Sequence, residues 1–384
     1  MVSFVLVANP QSRRVEFFQR ALAQFGLPPA RLVPYEALLA GRCTLDTLTG
    51  PETWVRFEAP ERNFGVVRSL IAAGAESMTI GPHQTISAWE AEQLPEDLGR
   101  IYYPQQWYLG WQKQLQAWNT QIQGQSLNSP EDIIAMFDKP RCQTRLAQNG
   151  IPVPPPVMGD QPLQDSEQLR DRMAQQGCKR VFVKLAHGSS ASGVVAYERR
   201  GDAERAITSV ERVMVQGELK FYNSRKIRQY RNAHEIADIL NFVIREQAQV
   251  EVWMPKARLK GREFDVRIVV IGGQARQGVV RVGNSPMTNL QLGNDRRPLT
   301  DLPPQITAEV WSHMMQTCEQ AAACFPHSFY CGVDLLIAPN YRDHFILELN
   351  AFGDLLPTST WQGQTTYETE IDLFLRQQGI QNKV

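Results

Sequence analysis

The 384-residue sequence lacks an excess of charge of either sign, with 40 Lys+Arg against 40 Asp+Glu. That balance excludes a polyanion binder that works by bulk charge, so any basic surface has to be local. Cysteine is scarce: six residues, no C-x-x-C pair. A disulfide framework and a zinc knuckle are therefore not indicated, and a reducing cytoplasm fits. No run approaches the roughly 20 apolar residues a membrane span needs. The apolar start, residues 2–7, has no basic flank and runs into Asn9-Pro10; it reads as a buried strand rather than a signal peptide. There is no internal repeat or low-complexity tract. What is there is 43% hydrophobic, which excludes gross disorder, and the length fits two to three domains at about 150 residues each. The expectation is a soluble, cytoplasmic protein.

The chain opens as strand, helix, strand. Ser12 is placed to cap a helix whose apolar residues Val15, Phe18, Leu22 and Phe25 recur at helical spacing until Gly26, and Leu32-Val33 then reads as a strand. A second unit follows: a strand over 53–58, a helix over 64–73 and Gly74 as terminator. This is the pattern of a small α/β domain with right-handed crossovers, its loops at the strand ends available for ligands. Trp107, Trp111, Leu115 and Trp118 share one helical face, which favours core packing over a substrate platform. After Gln123-Gly124-Gln125 the texture changes. Ser129 caps a helix with Pro130 in its first turn, Asp138 caps the next, and Gly150 ends it. Residues 151–156, four of them proline, form a stiff connector.

Beyond the connector the signal is mostly hairpins. In the last, strands 332–338 and 344–350 flank residues 339–343. If the turn is centred on Tyr341, Asp334 faces Glu348 and Gly332 faces Asn350. Glu348 and Asn350 then share one face, with Phe345, Leu347 and Leu349 on the opposite, buried side. Like charges directly opposite destabilise a hairpin by a few tenths to about 1 kcal/mol. A divalent cation removes that cost, and oxygen ligands without histidine select a hard ion such as Mg²⁺. The alternative is another register, with the acids solvated at a strand edge.

Val181-Phe182-Val183-Lys184 leads into a Gly/Ser loop, residues 187–193, whose glycines and hydroxyls suit a phosphate. It is neither a P-loop nor a G-x-G-x-x-G, and an exposed hairpin tip is the default reading. In the next hairpin Phe264, Val266, Ile268 and Val270 form one face, so Asp265 and Arg267 share the other, as an ion pair or as site residues. Whether Arg281 joins them depends on a one-residue bulge. Lys220, Arg225, Lys226, Arg228 and Arg231 lie among Phe221, Tyr222 and Tyr230; a solvated insertion is favoured over a clamp for an anionic substrate, and nucleic acid ranks last.

Six short motifs stand in order: Asp138-Lys139 followed by Gly150-Ile-Pro-Val-Pro; Val183-Lys184 with its loop; Phe264-Asp265-Val266-Arg267; Asn289-Leu290; Gly332-Val333-Asp334; and Glu348-Leu349-Asn350. In these, residues 129–384 resemble the ATP-grasp superfamily, most of all its glutathione-synthetase and ribosomal-protein-modifying glutamate ligase branch. The resemblance implies an α/β protein whose ATP-grasp fold of α+β lobes follows a small Rossmann-like domain: an N-terminal domain over 1–125, a small lobe with lid loop and insertion over 126–249, and a metal-bearing C-terminal lobe over 250–384. It implies that Lys139 and Lys184 contact nucleotide phosphates, that Gly188, Ser189, Ser190, Ser192 and Gly193 close over them, and that Glu251, Val252 and Trp253 hold adenine through their backbone. Asp265 and Asn289 would line the nucleotide site. Asp334, Glu348 and Asn350 would ligate Mg²⁺, as two ions with Glu348 bridging and Mn²⁺ as a substitute, and Arg267 and Arg281 would be catalytic beside the γ-phosphate or the reacting carboxylate.

Two departures stand out: Leu185 replaces a proline common after the second lysine, and the segment from Glu251 to Asp265 is long. The implied activity is an ATP- and Mg²⁺-dependent carboxylate–amine ligase working through an acyl-phosphate. A phosphotransferase of the same fold, a nucleotide-binding regulatory module and a nucleic-acid binder built on Lys220 to Arg231 are the rivals. The implied partners are small-molecule or peptide carboxylates and amines. Neither a membrane nor nucleic acid is expected, and homo-oligomerisation is left open. Arg56, Arg62, Trp107, Tyr108 and the loop acid Asp354 are candidates for substrate contact.

Overall fold

A computed structural model describes residues 2–77, 85–157, 159, 161–189, 191–352, 356 and 359–380. In the N-terminal part, β1 (Ser3–Ala8) leads through Ser12, which accepts the Arg14 N–H, into α1 (Arg13–Gln24). There follow β2 (Arg31–Pro34), α2 (Tyr35–Leu39), β3 (Thr53–Phe57), α3 (Phe64–Gly74), α4 (Ala88–Glu92), α5 (Pro104–Gln121) and β4 (Gln125–Ser126). The strands form a parallel sheet in the order β2-β1-β3-β4, so the chain steps from β1 first to one side and then to the other. Gly74 is the last residue of α3, but it serves packing rather than a left-handed stop. A Cβ there would lie 1.9 Å from the Gln106 carbonyl oxygen, and one at Gly110 1.8 Å from that of Leu70. Helices α3 and α5 thus cross with their backbones in contact. Trp107, Trp111, Leu115 and Trp118 are buried in this core as the spacing predicts.

Ser129 caps α6 (Pro130–Phe137) and Asp138 caps α7 (Lys139–Gln148), both as expected. The proline connector is tied to two sheets: Val252 N–H donates to Pro155 O and Ile346 N–H to Pro152 O, each at 2.8 Å. Next come α8 (Ser166–Gln175), β5 (Arg180–Leu185), β6 (Val194–Arg200), β7 (Ala203–Val215), β8 (Glu218–Tyr230), α9 (Ala233–Arg245) and β9 (Ala248–Val252). The five strands form an antiparallel sheet in the order β8-β7-β6-β5-β9. Its Val181, Val183, Val195, Tyr197 and Val250 pack under α8 and α9. Strand alternation therefore turns Phe182, Lys184 and Glu251 to the face away from α8 and α9.

The basic stretch read as a solvated insertion is strand β8, and it binds back to the N-terminal part. Asn223 N–H donates to Gly99 O at 2.7 Å, Ile101 N–H to Phe221 O at 3.0 Å, and the Tyr222 hydroxyl to Asp97 at 2.7 Å.

The last part holds β10 (Arg258–Leu259), β11 (Arg262–Ile271), β12 (Gln274–Gly283), β13 (Asp295–Arg297), α10 (Ala308–Ala323), β14 (Tyr330–Ile337), β15 (His344–Asn350) and α11 (Thr366–Gln377). The antiparallel order is β13-β12-β11-β14-β15, with β10 beside β11. Phe264, Val266, Ile268, Val280, Val333 and Leu335 pack with Met314, Cys318 and Ala321 of α10. On the opposite face Val269, Ile271, Val279 and Tyr330 meet β1, α1 and α11, so the N-terminal sheet rests on the face that carries Asp265 and Arg267. Among the described residues no helix is long and apolar enough to cross a membrane.

Candidate active site

Asp334 and Glu348 are register partners across β14 and β15, and so are Gly332 and Asn350. One step on, the ladder slips: Leu335 pairs with Ile346, leaving Leu347 as an extra residue. This β-bulge corrects the expected core face. Ile346 and Leu349 are the buried pair, whereas Phe345 and Leu347 are half-buried.

Arg281 lies directly opposite Asp265 because the bulge in that hairpin falls beyond it, between Ile268 and Val270. The two arginines therefore share a face, and both grip Asp334. Arg267 Nε bonds its Oδ1, and Arg281 Nη2 lies 3.2 Å from its Oδ2. Arg281 Nε also donates to Asp265 Oδ1 at 2.7 Å. Lys256 completes the group, donating to Asp265 Oδ2 at 2.9 Å and to Thr288 Oγ1 at 2.7 Å. All these side chains are buried, where an unpaired charge is costly. Burial by itself raises the Asp265 pKa, but Arg281 and Lys256 outweigh it and hold the carboxyl well below its usual range. Asp334 is likewise lowered, its burial outweighed by Arg267 and Arg281. Three cations thus face two carboxylates, an excess of one positive charge. Sequence reasoning missed Lys256 and Thr288. Both lie in irregular segments, where no alternation fixes which way a side chain turns.

On the facing sheet, Lys184 pairs with Glu251 Oε1, whose other oxygen accepts from Gln143 Nε2 at 3.0 Å. Lys139 Nζ bonds the Gly188 carbonyl oxygen in the Gly/Ser loop and lies 3.7 Å from Glu348 Oε2. One side chain thereby joins the loop to the acid pair. Glycine is needed at Gly193, where φ is +66° and a Cβ would lie 2.2 Å from the Leu185 side chain. Ser192 N–H donates to Ser189 O at 2.8 Å; Ser190 lies outside the described residues. Phe182, Ala196, Trp253 and Met287 form a small apolar cluster. The amides of Val252 and Trp253 are already engaged, by Pro155 O and Arg180 O. Asn289 is half-buried beside Thr288, its carbonyl accepting from Asn294 Nδ2 at 3.0 Å.

The substrate-contact candidates are mostly used elsewhere. Arg56 is fully buried between Glu58 and Glu370, under the rings of Phe18, Tyr330 and Tyr367, and so joins β3 to α11. Trp107 is core. Tyr108 carries His187 stacked on its ring. Arg62 is exposed, and Asp354 lies outside the described residues. Among the described residues no group of three or more His, Cys, Asp or Glu side chains is placed to hold a metal; the expected set supplies two carboxylates and one amide. Asn350 Nδ2 lies 3.3 Å from Glu348 Oε1.

A parallel α/β sheet is thus followed by two antiparallel sheets whose segments meet at Phe182, Ala196, Trp253 and Met287. No family model and no curated protein matches the sequence, whereas solved structures match along nearly all of it. The D-cycloserine synthetase DcsG is 12% identical with a TM-score of 0.57, covering 97% of this chain and 99% of that one. The macrocyclase MdnC from Microcystis aeruginosa MRC, bound with its precursor peptide MdnA, is 11% identical with a TM-score of 0.53 and coverages of 98% and 100%. The ATP-grasp ligase PsnB, complexed with a minimal precursor, is 17% identical with a TM-score of 0.51 and coverages of 98% and 99%. Likeness at such identities establishes the fold, which is the ATP-grasp fold.

Proposed function

We propose that the protein is an ATP- and Mg²⁺-dependent ligase that joins a carboxylate to an amine, with the nucleotide lying between the two antiparallel sheets. The observation that carries this reading is the position of Lys139, which touches the Gly/Ser loop and the Asp334–Glu348 pair at once. A triphosphate entering there would meet Lys139 and Lys184, with residues 187–193 over it. Phe182, Ala196, Trp253 and Met287 offer an apolar slot for the base. Because the Val252 and Trp253 amides are engaged, base recognition at Glu251–Trp253 would fall to carbonyl oxygens and to the linker that follows.

Asp334, Glu348 and Asn350 would hold Mg²⁺, and their chemistry fits: oxygen donors, two of them anionic, in register. A carboxylate has about four acceptor positions, so the two arginines on Asp334 leave room for a cation. When bound, the ion would neutralise phosphoryl oxygens. Arg267 and Arg281 would bring positive charge to the γ-phosphoryl group or the reacting carboxylate, and Asp265, Lys256 and Asn289 would hold that corner in place. A carboxylate oxygen attacks the γ-phosphorus, the bond to ADP breaks, and an acyl-phosphate forms; an amine then attacks its carbonyl carbon and phosphate leaves. Such chemistry asks for positioning and charge neutralisation rather than a protein nucleophile. The loop serves to keep water from the intermediate.

The peptide precursors seen with MdnC and PsnB make peptide carboxylates the first substrates to try. Incubation with ATP, Mg²⁺ and a cell extract, followed by mass spectrometry, tests the reading. Amine-dependent ADP release with a condensed product is expected; ADP release with a stable phospho-compound and no need of an amine would overturn it.

A further inference from the structure

We infer that Tyr108 is a positioning residue through which the N-terminal domain holds the Gly/Ser loop in place, acting on His187. The inference rests on reading residues 187–193 as the loop over the nucleotide phosphates. Tyr108 stands on α5, which is fixed to its own domain. Gln106 Nε2 donates to the carbonyls of Ile71 and Ile86, each at 2.9 Å, and Gly110 sits against the α3 backbone. The Tyr108 hydroxyl donates to Ile134 O at 3.2 Å. On that ring lies the imidazole of His187, the first loop residue, with centroids 3.8 Å apart and planes within 7°.

His187 has one polar tether at its edge, Asp138. Its Nδ1 is buried with no partner among the described residues, and its Nε2 is 3.7 Å from Asp138 Oδ2. The stack covers the face of the ring and so sets its plane, while Asp138 stands at its edge. Burial lowers the pKa of this imidazole more than Asp138 raises it, which favours the neutral ring, the form that lies flat on tyrosine without burying a charge. The next residue, Gly188, is held by Lys139. Helix α5 also meets the nucleotide lobe at its first turn, where Gln105 N–H donates to Glu246 at 3.2 Å. With two points of attachment, α5 couples the position of its own domain to the start of the loop.

Hydrogen exchange of the full-length protein, read by mass spectrometry on a peptide covering 186–194, tests this together with an ATP titration. Tyr108→Leu keeps buried apolar volume and removes the ring face; Tyr108→Phe keeps the face and removes only the hydroxyl. In Tyr108→Leu, loop exchange should rise roughly three- to tenfold, the range that one aromatic pair supports. Exchange of α5 and α6 should stay as in the wild type, and the KM for ATP should rise more than kcat falls. Tyr108→Phe should behave as wild type. His187→Leu removes the same stack from the loop side and should give the same loop exchange, which keeps the test open if the α5 variant misfolds. Loop exchange within twofold of wild type in either folded leucine variant, or equal loosening in Tyr108→Phe, would overturn the inference. The exchange readout needs no ATP chemistry. A loosened loop in a protein that binds no nucleotide would leave the Tyr108 inference standing and remove the ligase reading.

Discussion

Asp334 and Glu348 face each other across β14 and β15, yet the two carboxylates live in different surroundings. Asp334 is buried and gripped by Arg267 and Arg281. The Glu348 side chain is 24% exposed and meets only the distant edge of Lys139 and the Asn350 amide among the described residues. One carboxylate is locked into the sheet, and the other has oxygens to offer. Glu348→Gln should therefore change stability by no more than about 0.5 kcal/mol, whereas Asp334→Asn leaves buried guanidiniums underpaired and should cost about 3 kcal/mol. Both should abolish Mg²⁺-dependent ADP release. Denaturant unfolding beside a turnover assay separates the effects, and near-normal turnover in folded Glu348→Gln would remove its metal role.

Lys256 holds the far side of the same network. Lys256→Met should destabilise the protein by about 2 kcal/mol, the cost of a lost charged hydrogen bond to Asp265, which keeps Arg281. The pH dependence gives a second reading. The folded-state pKa of Asp265 is depressed, so its contribution is present above its ordinary pKa near 4 and is lost as pH falls through the folded value. Without Lys256 the folded value rises, and the acid limb of a Tm-against-pH curve should move to higher pH. An unmoved limb would show that Lys256 does not carry the shift.

Glu246 gives a shift of the opposite sign. Burial raises its pKa to about 7. The folded state then holds a proton that the unfolded chain releases near pH 4.5, and stability is lost as pH climbs from about 4.5 to about 7. Glu246→Gln keeps an acceptor for Gln105 N–H and removes the ionisation. It should raise stability at pH 8 by up to about 3 kcal/mol relative to wild type and flatten that slope. Urea unfolding at pH 5 and pH 8 checks both.

Gly110→Ala sets helix propensity against sterics. Propensity alone favours alanine by about 1 kcal/mol, but the new Cβ would lie 1.8 Å from Leu70 O. Sterics should win, with a net loss of about 2 kcal/mol and a lower Tm. An unchanged Tm would mean that α3 and α5 separate at no cost.

Much of the site was legible where one strand period fixed it. The facing acids follow from a turn count, and the shared face of Asp265 and Arg267 from alternation; Ser12, Ser129 and Asp138 announced their helices by their position before apolar runs. A single inserted residue has no compositional mark, so the bulge at Leu347 was invisible and the core face was misread. The basic residues of β8 suggested solvent, and Arg225, Lys226 and Arg231 are exposed; the tie of the same strand to residues 99–101 is made by backbone groups, which leave no mark in the sequence. Arg56 invited a substrate role because its partner Glu370 lies 314 positions away.

Calorimetric titration with a non-hydrolysable ATP analogue, with Mg²⁺ and with EDTA, tests the nucleotide site most directly, using wild type, Lys184→Ala and Glu348→Gln. Wild type should bind tightly only with Mg²⁺; Lys184→Ala should bind at least about tenfold more weakly in either condition, and Glu348→Gln should lose the Mg²⁺ enhancement while keeping the metal-free affinity. Equal, metal-independent binding by all three proteins would contradict a phosphate site built on these lysines and acids.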